Sequence, residues 1–314
     1  MANAFARDVR EGLSARPRRI PPRYLYDELG SSLFEAICRL PWYPITRAEK
    51  RLLATHAAGV VAAAGRPLTI VELGCGTGEK LEILVDAFGD RVRELQVVLI
   101  DVSEMALERS SRLLGTRGVG EVRACQDTYE AGLARAASAW PSSGTRLVLF
   151  LGSNIGNLEP GEAAAFLESI RAALGAGDHL LLGADLVKPA GVFERAYDDP
   201  LGVTAAFNRN LLVRMNRELG ANFDLEGFSH RALWNAAERR VEMHLASRRR
   251  QVVQIPATGA AFTFEAGDGI WTESSYKYTR EGIGALAAGS GFAVREMWAD
   301  EADGFALTLL RVQG

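Results

Sequence analysis

A chain of 314 residues, 48% hydrophobic and 24% charged, holds one large domain or two smaller ones and excludes a disordered protein. A net charge of −3 excludes broad electrostatic attraction to nucleic acid or to an anionic membrane. Three cysteines (Cys38, Cys75, Cys125), far apart and without CxxC or CxxH spacing, exclude a disulfide framework and a zinc site, and no metal is expected.

The opening MANAFARDVREG lacks the apolar stretch of a signal peptide, and no run approaches the ~18 apolar residues of a membrane span. A soluble, cytoplasmic, monomeric protein is therefore expected. The basic run Arg16–Arg19 (with Pro17) reads as a solvated arm and Arg248–Arg250 as a hairpin tip. From about residue 48 to 187 strand and helix patterns alternate. Leu68–Leu73 is a short apolar run before glycine, and Glu79–Phe88 has helical spacing. Val97–Ile100 is a second buried strand ending at Asp101, and Ser103 is placed to cap a helix over 104–114. Strands follow at Val122–Cys125, Leu147–Leu151 and His179–Gly183, with an amphipathic helix over Gly161–Leu174. This alternation implies an α/β fold, a parallel sheet with helices on both faces.

The alternation breaks over 188–277, which reads as a long helix (Gly202–Leu219) and two segments of period-two character, one of them 240-RVEMHLASR-248. It resumes with a helix at Arg280–Ala288 and strands at Phe292–Trp298 and Phe305–Val312, so close in sequence that they should pair antiparallel. Residues 48–187 plus 278–314 are accordingly expected to form one domain, and 1–47 plus 188–277 a second lobe.

Chemistry enters at 69-TIVELGCGTGEK-80, where a buried strand runs into Gly74, Gly76 and Gly78. Strand, glycine turn and helix make up the place where an open α/β sheet binds a nucleotide-like ligand. The spacing is neither the G-x-G-x-x-G of dinucleotide folds nor a GK[ST] triphosphate loop, so a ligand without phosphates fits better. Glu72 precedes the turn. Asp101, ending the next strand, is placed to accept two ribose hydroxyls, and Asp127, after the third strand, to accept from an adenine amino group. Adenosine without phosphate, joined to a sulfonium cation, is S-adenosylmethionine. Two other readings stand beside it: a nicotinamide dehydrogenase for this half alone, and a turn with solvated acids. Cys75 reads as a small tolerated side chain, and the four histidines form no metal motif. After the fourth strand, 151-LGSNIGNLEP-160 lacks the Asn-Pro-Pro-aromatic run expected of nucleic-acid amino-methyltransferases, and no acid cluster suggests metal-assisted O-methylation.

The stretches YDELGSSLFEAICRLPWYPITRAE (26–49), VELGCGTGEK (71–80), LGSNIGNLEP (151–160), ADLVKP (184–189), YDDPLGVTAAFNRNLL (197–212) and TESSYK (272–277) resemble the histidine Nα-methyltransferases of ergothioneine biosynthesis, in order and almost end to end. The resemblance implies a class I S-adenosylmethionine methyltransferase domain, Rossmann-like with a seven-stranded, mostly parallel sheet, and a second, substrate-binding domain. It implies three transfers to the α-amine of L-histidine, yielding hercynine and S-adenosylhomocysteine. Position by position, Asn157 and Tyr43 would sit at the amine as the catalytic pair. Tyr197 and Tyr26 would bind the carboxylate, Glu273 and Ser275 the imidazole, with Met243 and Phe34 as walls. Gly74, Gly76, Lys80, Glu72, Asp101 and Asp127 would form the cofactor site. Leu29 and Trp42 stand where the family commonly has a basic and an acidic residue.

The bare residues allow plainer readings. Glu273 and Ser275 lie on one face of a strand, where a carboxylate and a hydroxyl suit both ring nitrogens, or simply face water. Met243 alone reads as core, Tyr43 and Tyr197 as half-buried aromatics, and Asn157 as a turn cap. A related methyltransferase of another amino acid or amine and a non-catalytic cofactor-binding module stay open.

Overall fold

The structure, a computed structural model, describes residues 2–66, 68–139 and 144–313. It divides into two compact units, Met1–Pro44 with Lys188–Tyr276, and Ile45–Val187 with Lys277–Gly314. In chain order, helices α1 (Ala2–Ser14) and α2 (Glu28–Cys38) belong to the first unit. The second unit then runs α3 (Ile45–Ala64), β1 (Leu68–Leu73), α4 (Glu79–Asp86), β2 (Gln96–Asp101), α5 (Glu104–Thr116) and β3 (Glu121–Gln126). It continues through α6 (Tyr129–Ser138), β4 (Thr145–Phe150), α7 (Pro160–Ala173) and β5 (His179–Asp185). The first unit resumes with α8 (Ala190–Tyr197), α9 (Val203–Leu219), β6 (Phe228–Asn235), β7 (Arg240–Ser247), β8 (Gln251–Ile255), β9 (Ala260–Phe264) and β10 (Gly269–Tyr276). The second closes with α10 (Arg280–Gly289), β11 (Phe292–Asp300) and β12 (Phe305–Val312). No helix among the described residues is long and apolar enough to cross a membrane.

The second unit is a seven-stranded sheet of order β11-β12-β5-β4-β1-β2-β3. Strands β1 to β5 are parallel, and β12 runs antiparallel to β5 and to β11, as the short turn before it predicts. Every residue of β1 is buried, which is why its sequence is continuous in apolar character rather than alternating. Ser103, Thr128 and Thr279 cap α5, α6 and α10 by accepting from the amides of Ala106, Ala131 and Gly282. The chain winds outward from β1 to β3 and then returns to place β4 on the other side of β1. That reversal is the crevice at which such sheets take ligands, beyond the carboxyl ends of the strands.

The first unit carries a three-stranded antiparallel sheet, β10-β7-β6, and a separate pair, β8-β9. Two period-two segments were expected here, whereas five strands form. β8 and β9 are only five residues each, too short for alternation to stand out. Arg248–Arg250 is not a hairpin tip: β7 pairs with β6 and β10, β8 pairs with β9, and the basic run links two sheets. Arg16–Arg19 is solvated only in part: Arg16, Pro17 and Arg19 are exposed, and Arg18 is not. Arg18 is buried, its guanidinium 4.2 Å from the Phe264 ring centroid and donating to the Thr263 carbonyl at 2.7 Å. Arg19 forms a parallel bridge with Trp271.

Two glycines on helices separate packing from propensity. At Gly132 a Cβ would lie 2.4 Å from Ile100 Cγ2, whereas at Gly284 nothing lies within 4 Å. Gly132→Ala is expected to destabilise by about 1–3 kcal/mol through overpacking. Gly284→Ala should stabilise by up to about 1 kcal/mol. Thermal unfolding midpoints of both variants against the parent check the pair, and a rise for Gly132→Ala would contradict the packing.

Candidate functional site

In the second unit the glycine turn follows β1. The Gly74 amide donates to the Ile100 carbonyl at 2.8 Å, which ties the turn to the end of β2. Gly74 has φ +82°, and a Cβ there would meet the Tyr129 hydroxyl at 2.9 Å and Asn154 Nδ2 at 3.2 Å. Both backbone and neighbours therefore require glycine. Gly76, at φ +50°, has open space where its Cβ would point. Its amide donates to Asp101 Oδ2 at 3.2 Å while Ser103 N donates to Oδ1 at 2.9 Å. Main-chain donors thus fix the Asp101 carboxylate and leave acceptor positions for hydroxyl groups. The Asp127 amide donates to the Asp101 carbonyl at 3.1 Å, so the ends of β2 and β3 hold the two acids side by side. Asp127 accepts from Thr128 N at 2.9 Å and is ion-paired with Arg135.

Glu72 is buried, and its Oε2 has no hydrogen-bond partner among the described residues. Burial pushes its pKa up to about 8; Lys80 pulls the other way, and the charges of Asp101 and Glu49 add to the rise. Burial, with Glu72 and Asp101 nearby, also raises the Cys75 thiol far above its ordinary value, so it stays protonated and is no nucleophile. The residues fit an adenosyl sulfonium. The turn gives close backbone approach, Asp101 offers acceptors for two hydroxyls, and the acids surrounding the turn disfavour a phosphate.

Lys80, on the first turn of α4, places its ammonium 2.6 Å from Glu49 Oε2. Both Glu49 oxygens accept from the Gly152 amide, at 2.8 and 2.9 Å. Gly152 opens the loop that carries Asn157, which lies half-buried at the end of a short turn, Asn154–Asn157. Ser153 in this loop has φ 59°, and its hydroxyl accepts from the Asp185 amide at 3.0 Å.

In the first unit the remaining candidates gather. Tyr26, Phe34 and Phe207 pack with ring centroids 5.5 to 5.9 Å apart, Tyr43 follows at 6.3 Å from Phe34, and Tyr197 at 6.3 Å from Tyr43. Asp27, next to Tyr26 in the chain, ties the start of α2 to α9. It caps α2 through Gly30 N and accepts from Asn210 and Arg217 on α9 at 2.6 and 2.7 Å. The Tyr197 hydroxyl donates to Ser275 Oγ at 2.9 Å. Its carbonyl meets His230 Nε2 at 2.8 Å, and Asn208 Nδ2 lies 2.9 Å from His230 Nδ1. Burial lowers the pKa of His230, keeping it a neutral structural link.

A β-bulge decides which way Glu273 and Ser275 point. The register of β10 on β7 shifts between Trp271 and Glu273, leaving Thr272 as the extra residue. Ile270 pairs with Leu245, Glu273 with Met243 and Ser275 with Val241. Directly opposed residues share a face, so the carboxylate and the hydroxyl stand on the buried apolar face. Glu273 is 8% exposed, Ser275 5% and Met243 2%. Without the bulge, strict alternation would have sent both polar groups to the opposite face.

The geometry thus groups Glu72, Gly74, Gly76, Lys80, Asp101, Asp127 and Asn157 in one unit. Tyr26, Phe34, Tyr43, Tyr197, Met243, Glu273 and Ser275 belong to the other. Glu49 and Tyr129 were not anticipated. Glu49 did leave a signal: Ile45, Ala48, Glu49, Leu52 and Leu53 form one helical stripe, and an acid on an apolar stripe marks a buried charge with a partner.

The sequence profile of a family described as "Histidine-specific methyltransferase, SAM-dependent" matches residues 5–312. The chain is 45% identical over 309 residues to "Histidine N-alpha-methyltransferase" of Mycolicibacterium smegmatis, covering 98% of this chain and 95% of that one. It is 44% identical to the protein of the same name from Mycobacterium tuberculosis, covering 98% and 94%. Similarity extends to "Ergothioneine biosynthesis protein 1" of Neurospora crassa, 31% identical over 67% of this chain and 24% of that protein.

The buried Glu72 sets a pH dependence of stability. Below its ordinary pKa near 4.5 both folded and unfolded chains hold the proton; between there and about 8 only the folded one does, so rising pH disfavours folding. Above about 8 both forms are ionised and the penalty is constant. Glu72→Gln should therefore gain stability relative to the parent as pH rises from 5 to 8, by up to about 4 kcal/mol. Urea midpoints of both proteins across that range test this; a pH-independent difference would refute the buried neutral carboxyl.

Proposed function

Because the chain belongs to the family of histidine-specific, S-adenosylmethionine-dependent methyltransferases, we propose that it methylates the α-nitrogen of L-histidine. Three rounds give hercynine, a step of ergothioneine biosynthesis, with S-adenosylhomocysteine released in each. The observation that carries the choice of substrate is the bulge that turns a carboxylate and a hydroxyl onto the apolar face of β10. The protein acts as a monomer in the cytoplasm on a small molecule, without nucleic-acid or membrane partners.

S-adenosylmethionine supplies an electrophilic methyl group on sulfur. For this ligand Asp101 accepts from the ribose hydroxyls, Asp127 from the adenine amino group, and Gly74 and Gly76 give the backbone room. Lys80 and Glu72 complete that site. Glu273 and Ser275 bind the two nitrogens of the imidazole, one accepting and the other sharing its hydroxyl with Tyr197. Tyr26 and Tyr197 hold the carboxylate, Tyr197 by turning its one O–H from Ser275 Oγ to the ligand, and Met243 and Phe34 wall the ring.

Tyr43 and Asn157 are assigned to the amine. A peptide α-amine has a pKa of roughly 8 and that of a free amino acid lies higher, so at neutral pH most of it must shed a proton before it attacks. Solvent takes that proton, either before binding or through a water held by the Tyr43 hydroxyl. The exchange creates no net charge, so orientation carries the rate, an effect worth up to ~7–11 kcal/mol. Carboxylate and ring anchors stay fixed through three rounds while the polar contacts at nitrogen give way to methyl groups.

Mass spectrometry of histidine incubated with enzyme and S-adenosylmethionine should show mass gains of one, two and three methyl groups, and a panel of the other amino acids should show none. Transfer to another amino acid in preference to histidine would replace the substrate but not the reaction. Glu273→Ala should raise KM for histidine by roughly 10–100-fold, the worth of a charged hydrogen bond. Its affinity for the cofactor should stay near that of the parent. Asp101→Ala should do the reverse, and equal loss of both affinities in either variant would contradict the division of labour.

A further inference from the structure

The chemistry above leaves the Glu49 carboxylate without a role, although it is 0% exposed. It rises from α3 and touches two other elements. Its oxygens accept from the Gly152 amide after β4 at 2.8 and 2.9 Å, and Oε2 meets the Lys80 ammonium on α4 at 2.6 Å. β5 is shaped around it: at Gly183 a Cβ would lie 2.0 Å from Glu49 Oε1. Stability alone does not call for this arrangement, because a buried ion pair contributes little over well-packed apolar residues of the same volume. What it does supply is aim. A lysine ammonium sits on a flexible four-carbon stem, and a fixed counter-charge selects one of its many positions.

We propose that Glu49 is a positioning residue, a carboxylate bridge that holds the Lys80 ammonium at the cofactor turn and pins Gly152 at the root of the loop bearing Asn157. The inference rests on the reading that Lys80 serves the cofactor. Glu49→Gln keeps an oxygen for the Gly152 amide but removes the charge that faces Lys80. Gly183→Ala keeps the charge and displaces the carboxylate by crowding.

The test is calorimetric titration of each purified variant with S-adenosylhomocysteine, which needs no turnover. Loss of a charge-assisted contact should raise Kd about 10-fold in Glu49→Gln and in Gly183→Ala. Lys80→Met should bind as weakly, and adding Glu49→Gln to it should bring no further loss, since the bridge acts through that ammonium. KM for S-adenosylmethionine should follow Kd, with KM for histidine changing far less in Glu49→Gln. Loss of affinity in Lys80→Met with parental affinity in Glu49→Gln would overturn the bridge and leave the cofactor site standing. Parental affinity in Lys80→Met would overturn both the bridge and the cofactor role of Lys80. A Glu49→Gln variant that no longer folds would mark the pair as structural and overturn the proposal too.

Discussion

Strands β1 and β4 are parallel neighbours, yet the chain leaves β1 toward β2 and β3 and returns to β4 from the other side. Their crossovers therefore diverge, and the carboxyl ends between them stay uncovered. Everything chemical in this unit is arranged around that gap. The glycine turn leaves β1 there, the Asn157 loop leaves β4 there, and Asp101 closes the adjacent β2. Three carboxyl groups in such a place would repel each other if all were ionised and unpaired. The structure keeps them apart in kind: Glu72 is neutral by burial, Glu49 is ionically paired, and Asp101 is held by main-chain amides with acceptor positions to spare. A ligand rich in hydroxyls and carrying positive charge suits this set, and a pyrophosphate does not.

The sheet was legible in the sequence because parallel strands buried on both faces need unbroken apolar runs, and each such run ended at a glycine, an acid or a cap. The first unit was far less legible. α1, α2 and α8 were not singled out, since short amphipathic helices between prolines and aromatics have no flanking strands to frame them. β6 is half-exposed along most of its length, and β8 and β9 are short. Arg18 shows the same limit from the side of charge. A basic run suggests solvent, but the aromatic face and carbonyl that bury it come from β9, some 245 residues away.

Site residues followed a similar division. Asp101 and Asp127 were expected at strand ends, and the structure has them there, because local sequence fixes where a strand stops. Glu273 and Ser275 were correctly put on one face, but local sequence does not say which face. That choice lies in the one-residue slip at Thr272, whose hydroxyl donates to the Met243 carbonyl at 2.9 Å and so takes part in the irregular pairing. A bulge is a property of two strands, and only their joint register reveals it.

This has a consequence for selectivity. A carboxylate set among Met243, Leu245 and Ile270 is costly to bury unless donors meet it. On the proposed reading, a ring N–H would be one such donor. Pockets built on buried polar groups therefore discriminate by as much as ~10⁴–10⁵, whereas those that sense only a methylene reach ~10–200-fold. On that reading, selectivity for an imidazole would rest less on the shape of the aromatic wall than on the register that presents Glu273. With strict alternation in β10 the same side chains would put Glu273 and Ser275 on the face away from Met243 and Leu245.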